Sequence, residues 1–352
     1  MNSRYSDEGI QSRPAADSVP VPDTGRVMRV IFALALVGVV AGVGVGLWQI
    51  GRRPERFLAL AGWQIPALLG LAAASHGLRF VKWHFYLRIN GLRPGLRSSF
   101  YIQFVGFALS VSPGKLGELL KFQLLKERTG APIARTAPIL FLERATDGIA
   151  MLAVAALALP SAHLALSARA RHRVLTLIAA AVALVLLVLV RRLWGRGEGR
   201  LDRRSAKARS GLGAVGWGLA ASGYRNLTPA NLALGVGLSL PGRLCDSLLV
   251  LLVARMLGGV ITYPQAMLCF AVAGMAGGAS LMPGGLGAAE AALTGMLVLA
   301  GLGAAPAFAA SVTVRLFTLW LAVGVGLLLY VGRAARARGW LDPGRGGEVS
   351  SA

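Results

Sequence analysis

Acidic residues are scarce in this 352-residue chain: 15 Asp and Glu stand against 37 Lys and Arg, leaving a net charge of +22. Cysteine is scarcer still. Cys245 and Cys269 both lie in apolar segments without metal-ligand spacing, so neither a disulfide framework nor a cysteine metal site is expected. The four histidines, His76, His84, His163 and His172, form no ligand pattern either. No phosphate-binding P-loop is present, and no metal or cofactor is expected. Residues 1–29 mix Asp7, Glu8, Asp17 and Asp23 with Pro and Ser ahead of the first apolar run, the composition of a disordered tail and not of a cleavable signal. The positive excess does not read as nucleic-acid binding, because Arg and Lys gather at the ends of apolar runs instead of forming a stripe with aromatic platforms.

What the chain has in quantity is apolar sequence: 55% of residues are hydrophobic and the mean hydropathy is +0.62. Several runs of about 20 residues are each long enough to cross roughly 30 Å of hydrocarbon, which makes this an all-α polytopic membrane protein. The clearest spans are Val30 to Ile50, Phe57 to about Phe80, Ala137 to Leu159, Val174 to Val190, Ala230 to Leu257 and Pro306 to Val331. The loop at 191–210 carries Arg191, Arg192, Arg196, Arg200, Arg203, Arg204, Lys207 and Arg209 against Glu198 and Asp202, so the excess of positive charge assigns it to the cytoplasm. With an even number of crossings, both termini follow it there, including the tail at 336–352. Arg52, Arg53 and Arg56 fall on the other side and weaken the contrast.

Two further apolar pieces, Ser99 to Val111 and Gln265 to Leu281, stop at Pro-Gly and are followed by a second helical stretch. A half of about 14 residues reaches only ~20 Å, so both read as re-entrant hairpins that turn inside the bilayer. Irregular backbone at that depth requires cover by protein or access to water. The two breaks are also alike. "SVSPGKLG" at 110–117 and "SLMPGGLG" at 280–287 share Ser110/Ser280, Pro113/Pro283, Gly114/Gly284, Leu116/Leu286 and Gly117/Gly287 at one offset of 170 residues. Each is followed by a glutamate (Glu118, Glu290) and leads to a span with an arginine (Arg144, Arg315). "RING" at 88–91 and "RMLG" at 255–258 occupy comparable places upstream. The chain therefore divides into repeat 1 (about 30–160) and repeat 2 (about 174–332), each with three crossings and one hairpin, and an odd number of crossings inverts the second against the first. Inverted repeats with broken helices are the plan of secondary transporters.

Pro ends each first half-helix and Gly allows the turn. The second half-helix then starts at depth with free N–H groups, a site for an anion such as a phosphate or carboxylate, which Lys115 and Lys121 would reinforce. Lys126 lies toward the outer end of the same segment. A plain kink with snorkelling lysines is the other reading of one such break. In "FLERATDGIAML", Glu143, Arg144 and Asp147 sit at the head of an apolar span; each charge at mid-bilayer costs roughly 2.5–3.5 kcal/mol, so they must face protein or water. An ion-pair cluster is available locally at i,i+3 and i,i+4. With the single Arg144 to serve both carboxyls, Glu143 and Asp147 are expected to act as a coupled acidic pair. Arg243 and Asp246 repeat the i,i+3 device and read equally well as a structural pair.

"PGKLGE…K", "LER…D" at 142–147 and "PGGLGAAE" at 283–290 resemble the lysylphosphatidylglycerol synthase transmembrane-region family, also called the flippase-like domain family, over roughly residues 30–335. That resemblance implies a lipid transporter. Members include the membrane half of the bacterial multiple peptide resistance factor, which moves aminoacylated phosphatidylglycerol between leaflets, and relatives linked to hopanoid or polyprenyl-linked glycan pathways. It implies roles for Pro113, Gly114, Lys115, Gly117, Glu118, Glu143, Arg144, Asp147, Pro283, Gly284, Gly287 and Glu290. Ser110, Lys121, Arg243, Asp246, Gly285 and Arg315 complete the expected substrate-binding set. The residues after 335 offer no aminoacyl-transferase domain, so lipid lysylation is not expected of this chain.

The expectation is thus a bacterial inner-membrane protein, not an enzyme, that moves an anionic phospholipid or polyprenyl-linked lipid. A lipid-biosynthetic enzyme is a candidate partner. A membrane transferase, with Glu143 and Asp147 as its acid/base pair, and a non-transporting partner protein are the alternatives.

Overall fold

The computed structural model describes residues 62–109, 111, 117–131, 133–162, 228–280 and 282–337, and every regular element among them is a helix. The expected spans at 30–50 and 174–190, the basic loop at 191–210 and most of both tails lie outside the described residues.

Helix α1 (Gln64–Ile89) is followed by α2 (Leu96–Leu109) and α3 (Gly117–Thr129), and α4 (Ile133–Ala158) closes the first half. The second half runs α5 (Pro229–Met256), α6 (Tyr263–Ala279), a 3₁₀ turn (Pro283–Gly285), α7 (Ala288–Leu299) and α8 (Ala304–Arg315). A π turn (Leu316–Trp320) joins α8 to α9 (Leu321–Ala337). Two of these helices are long and apolar enough to cross a membrane by themselves: α5, with mean hydropathy 1.6, and the continuous α8–α9 rod over Ala304–Arg333, with mean hydropathy 2.0. Helices α1 and α4 have 26 residues each, about 39 Å at 1.5 Å per residue, and so have the length as well. Their hydropathy is lowered by Arg79, Lys82, Glu143, Arg144 and Asp147.

Helix α1 continues nine residues past Phe80, where the apolar run ends. The run stops because Lys82, His84 and Arg88 begin there; the helix does not, because Lys82 is 1% exposed and paired inside the protein. It closes at Asn90, with Gly91 at φ 72° and the Leu92 amide donating to Leu87 O at 2.9 Å, a glycine-terminated cap. Helix α5 ends the same way: Gly258 has φ 85°, and the Gly259 amide donates to Ala254 O at 2.9 Å. "RING" and "RMLG" thus perform one task. The starts are set by caps. Thr228 Oγ1 accepts the Asn231 amide ahead of Pro229, and Gln265 Oε1 accepts the Thr262 amide at 2.8 Å at the head of α6.

The segments broken at Pro-Gly fold back as helical hairpins, α2 on α3 and α6 on α7. Their arms of 14, 13, 17 and 12 residues reach at most about 26 Å, short of the roughly 30 Å hydrocarbon thickness. At the second break Gly284, Gly285 and Gly287 hold φ of 60°, 70° and 80°, which L side chains rarely adopt.

Helices α1 and α5 pack along their length and run antiparallel: Arg79 meets Asp246, Lys82 meets Ser239, and Tyr86 meets Asn231 O. The hairpins pack crosswise. The first arm of hairpin one, α2, lies on α9 of the second half, and the first arm of hairpin two, α6, lies on α4 of the first half. The α2–α9 contact is close because Gly326 has no side chain; a Cβ there would overlap the Phe104 carbonyl. Most of the apolar core joins α4, α5, α6, α7 and α8, with Val154, Leu249, Leu268, Leu297 and Ala310 fully or almost fully buried.

Candidate functional site

The charges carried by α1, α4 and α5 converge. Helix α1 presents Arg79, Lys82 and Trp83, one turn apart on one face; α4 presents Glu143 and Asp147 at i,i+4; α5 presents Ser239, Arg243 and Asp246. Asp147 Oδ1 accepts from Lys82 Nζ at 2.5 Å and from Ser239 Oγ at 3.1 Å, and it forms an ion pair with an Arg243 Nη at 3.1 Å. Lys82 Nζ also donates to Ser239 Oγ at 2.8 Å. Asp246 Oδ2 accepts from Arg79 at 2.5 Å and lies 3.6 Å from Arg243. Lys121 of α3 extends over Gly106 of α2 to reach Glu143 Oε2 at 3.3 Å, with its ammonium 3.4 Å from the centre of the Trp83 ring. That placement adds a cation–π contact to a desolvated ion pair.

The network is deep but not sealed. Lys82 and Asp246 are 1% exposed and Glu143 4%, while the side chains of Asp147 and Arg79 keep 16% and 18%. Among the described residues, four cations, Arg79, Lys82, Lys121 and Arg243, face three carboxylates, Glu143, Asp147 and Asp246, so these seven side chains carry one positive charge in excess. An apolar surround does not screen that excess, and an anion would neutralise it.

A second cluster ties down the second break. Arg315, the last residue of α8, donates through Nε to Glu290 Oε1 at 2.7 Å and through Nη2 to the Gly284 carbonyl at 2.5 Å. Glu290 lies in the first turn of α7, where the helix dipole favours a carboxylate. The π turn starts at the next residue and brings the Phe317 carbonyl to 3.3 Å from His76 Nε2 on α1; single π turns of this kind recur at functional sites. Val111, just before the first Pro-Gly, packs with Leu286, Leu316, Leu319 and Trp320 beside the second.

Among the expected residues, Glu143, Asp147, Lys121, Arg243 and Asp246 are brought into one network, and Gly284, Glu290 and Arg315 into the other. Gly285 is buried within the second turn, and Pro283 and Gly287 bound it. Ser110, Pro113, Gly114 and Lys115 lie outside the described residues, while Gly117 and Glu118 open α3. Arg144 is exposed on α4. The local pairing expected within Glu143, Arg144 and Asp147 gives way to pairing across helices: Glu143 takes its cation from α3, and Asp147 takes two, from α1 and α5. The coupled acidic pair was expected from a shortage of positive charge, and among the described residues each of the two carboxylates has a cation of its own. Arg243 and Asp246 likewise do more than pair at i,i+3, since each makes its shorter contact with another helix.

Sequence reasoning missed Lys82, Ser239, Trp83 and the partnership of Arg79. The signal was Arg79 and Lys82 at i,i+3 with Trp83 beside them, on a helix whose apolar run was taken to end just before Lys82.

A family model described as "Lysylphosphatidylglycerol synthase TM region" matches residues 27–326. No curated protein matches the chain. With most of its length matched, apolar helices and paired buried charges, the chain belongs to the lysylphosphatidylglycerol synthase transmembrane-region family and is an integral membrane protein.

Proposed function

We propose that the protein moves an anionic phospholipid or polyprenyl-linked lipid between the leaflets of the bacterial plasma membrane, and that it does so as a transporter and not as an enzyme. The observation that carries this reading is the buried network, whose described residues carry one positive charge in excess, set where α1 crosses α5 and still reached by solvent at Asp147 and Arg79. A lipid phosphate approaching this edge meets Arg79, Lys82 and Arg243 already oriented, while Asp147 and Asp246 keep those cations from repelling one another. Binding then exchanges one set of charge-assisted contacts for another, which lets the headgroup leave as readily as it arrives.

Four features support the inverted plan of six crossings and two re-entrant hairpins. The corresponding helices α1 and α5 run antiparallel; each hairpin's first arm packs on the last helix of the opposite half; α1 and α5 share one form of C-terminal cap; and Val111, ahead of the first Pro-Gly, packs beside the second. Rocking of one half on the other would change the access of a site at that crossing. Glu143 and Asp147 favour transport over the transferase alternative, since both carboxylates are engaged by buried cations.

The test is a fluorescent phosphatidylglycerol or polyprenyl phosphate in proteoliposomes, read by chemical quenching of the outer leaflet. The protein should speed the loss of protected signal well above protein-free vesicles, with little effect on phosphatidylcholine. Vesicles that behave alike with and without protein, for both anionic lipids, rule the proposal out. The topology has its own check. In a background lacking Cys245 and Cys269, Arg93→Cys and Val260→Cys place exposed thiols on the connections leading into the two hairpins, and an impermeant reagent should label them from opposite faces, Arg93→Cys from the cytoplasmic one. Labelling of both from one face contradicts the inversion.

A further inference from the structure

A groove of about 720 Å³ opens between α1, the start of α2 and the end of α9, away from the buried network. Its walls are apolar, with Phe80 and Phe100 on one side and Leu328 and Leu329 on the other, and Leu328 is 74% exposed. Two cations line it. Arg97 lies in the first turn of α2, and Arg333 stands in the last stretch of α9 with its guanidinium carbon 5.2 Å from the Tyr101 ring centre. Neither arginine is ion-paired among the described residues. The N-terminal turn of α2 adds partial positive charge of its own.

From this pattern we infer that the groove is a resident site for an anionic phospholipid, its phosphate held between Arg97 and Arg333 and its acyl chains lying along Phe80, Phe100, Leu328 and Leu329. Charge and shape select this occupant together. Two guanidiniums without an ion-pair partner among the described residues present donor forks that fit a phosphate, and the volume lies in the range of small-ligand sites, roughly 300–1,000 Å³, enough for a headgroup and the upper part of its chains. A soluble phosphate compound would leave the apolar walls uncovered. A zwitterionic lipid would bring a third cation to a place that already has two.

A row of aromatic rings leads from the groove toward the network. Phe80 packs on Phe100 at 5.3 Å between ring centres, Phe100 on Phe104 at 4.3 Å, Phe104 on Phe107 at 5.6 Å, and Phe107 lies 5.8 Å from His76, one turn from Arg79 on α1. A lipid held in the groove therefore lies against the same helix face that leads to the buried charges. This assignment deepens the transport reading by naming where the lipid waits, and it rests on that reading only for direction: with the C-terminus cytoplasmic, the groove draws from the cytoplasmic leaflet.

Native mass spectrometry of the detergent-solubilised full chain, titrated with phosphatidylglycerol and with phosphatidylcholine of the same chains, tests it. The parent should retain phosphatidylglycerol about ten- to a hundredfold more tightly, the effect of charge-assisted contacts. Arg97→Gln/Arg333→Gln should lose that preference, and Leu328→Trp, which fills the groove and leaves both charges, should lose retention of phosphatidylglycerol. Both variants should melt with the parent, so a lost preference is read at the groove and not as unfolding. Glycerophosphoglycerol, the headgroup without chains, should not displace the lipid. A parent that binds both lipids alike, variants that keep the parent's preference, or displacement by the chainless headgroup at equal concentration overturns the site. Loss of binding in the variants with translocation by the parent absent counts against transport and leaves the groove standing; full preference in the variants with translocation intact does the reverse.

Discussion

Asp147→Asn should destabilise the protein by about 3–5 kcal/mol, the cost of removing one partner from a buried ion pair. Two donors, Lys82 and Ser239, aim at one oxygen of Asp147, and Arg243 forms an ion pair with the same oxygen. The amide leaves Lys82 and Arg243 facing each other with their common counter-charge gone, and the surplus of the cluster doubles. Thermal unfolding in detergent micelles reads the loss. Adding Lys82→Met should recover much of it, because the second change removes the cation that the first left bare, and the coupling from the double-mutant cycle should lie at or above the upper end of the ordinary 0.5–3 kcal/mol range. Recovery of stability should not bring back translocation, since a headgroup needs the lysine that the repair deletes. If the double variant is no more stable than Asp147→Asn, the pair is not coupled as described.

Arg315→Leu should act on movement more than on binding. Arg315 holds the Gly284 carbonyl and Glu290 together, so its loss frees the second break from α8 and leaves the Glu290 carboxylate, 17% exposed, without its cation. Two charge-assisted contacts of roughly 1.5–3 kcal/mol each are at stake, and translocation should fall at least tenfold. Lipid retained by the detergent-solubilised protein should change far less, because the network of α1, α4 and α5 and the groove of α2 and α9 are untouched. Arg315→Lys restores charge but not the two-pronged geometry, so it should rescue folding better than transport. Translocation by Arg315→Leu at the parent's rate would make the clamp a passive brace.

The second cluster was legible in the sequence and the first was legible only in part, for a physical reason. Gly284, Glu290 and Arg315 come together because α7 folds back on α8 through one short connection, and local chain geometry settles their meeting. Lys82, Asp147 and Arg243 meet because three helices pack in one register, and nothing local announces that register. The hydropathy of α1 misled in the same way: Lys82 looks like the end of a buried segment until its partners on α4 and α5 are in place. The repeat was visible as matched motifs, yet the crosswise seating of α2 on α9 and α6 on α4 had no signal in the matching. Ser110 and the residues of the first Pro-Gly break, with Lys115 among them, lie outside the described residues, so their part in anion binding rests on the likeness of the two breaks.

Crosswise seating also sets a schedule for biogenesis. Phe104 of α2 rests against Gly326 of α9, so roughly 220 residues must follow α2 out of the ribosome before its partner exists, on the order of 10–45 s at about 5–20 residues per second. For that interval the α2 face is bare, and α9, one of the last helices to be made, is what closes it. A ribosome that stops before residue 321 would release a chain whose first half is fully synthesised and yet unfinished, a natural substrate for membrane proteases.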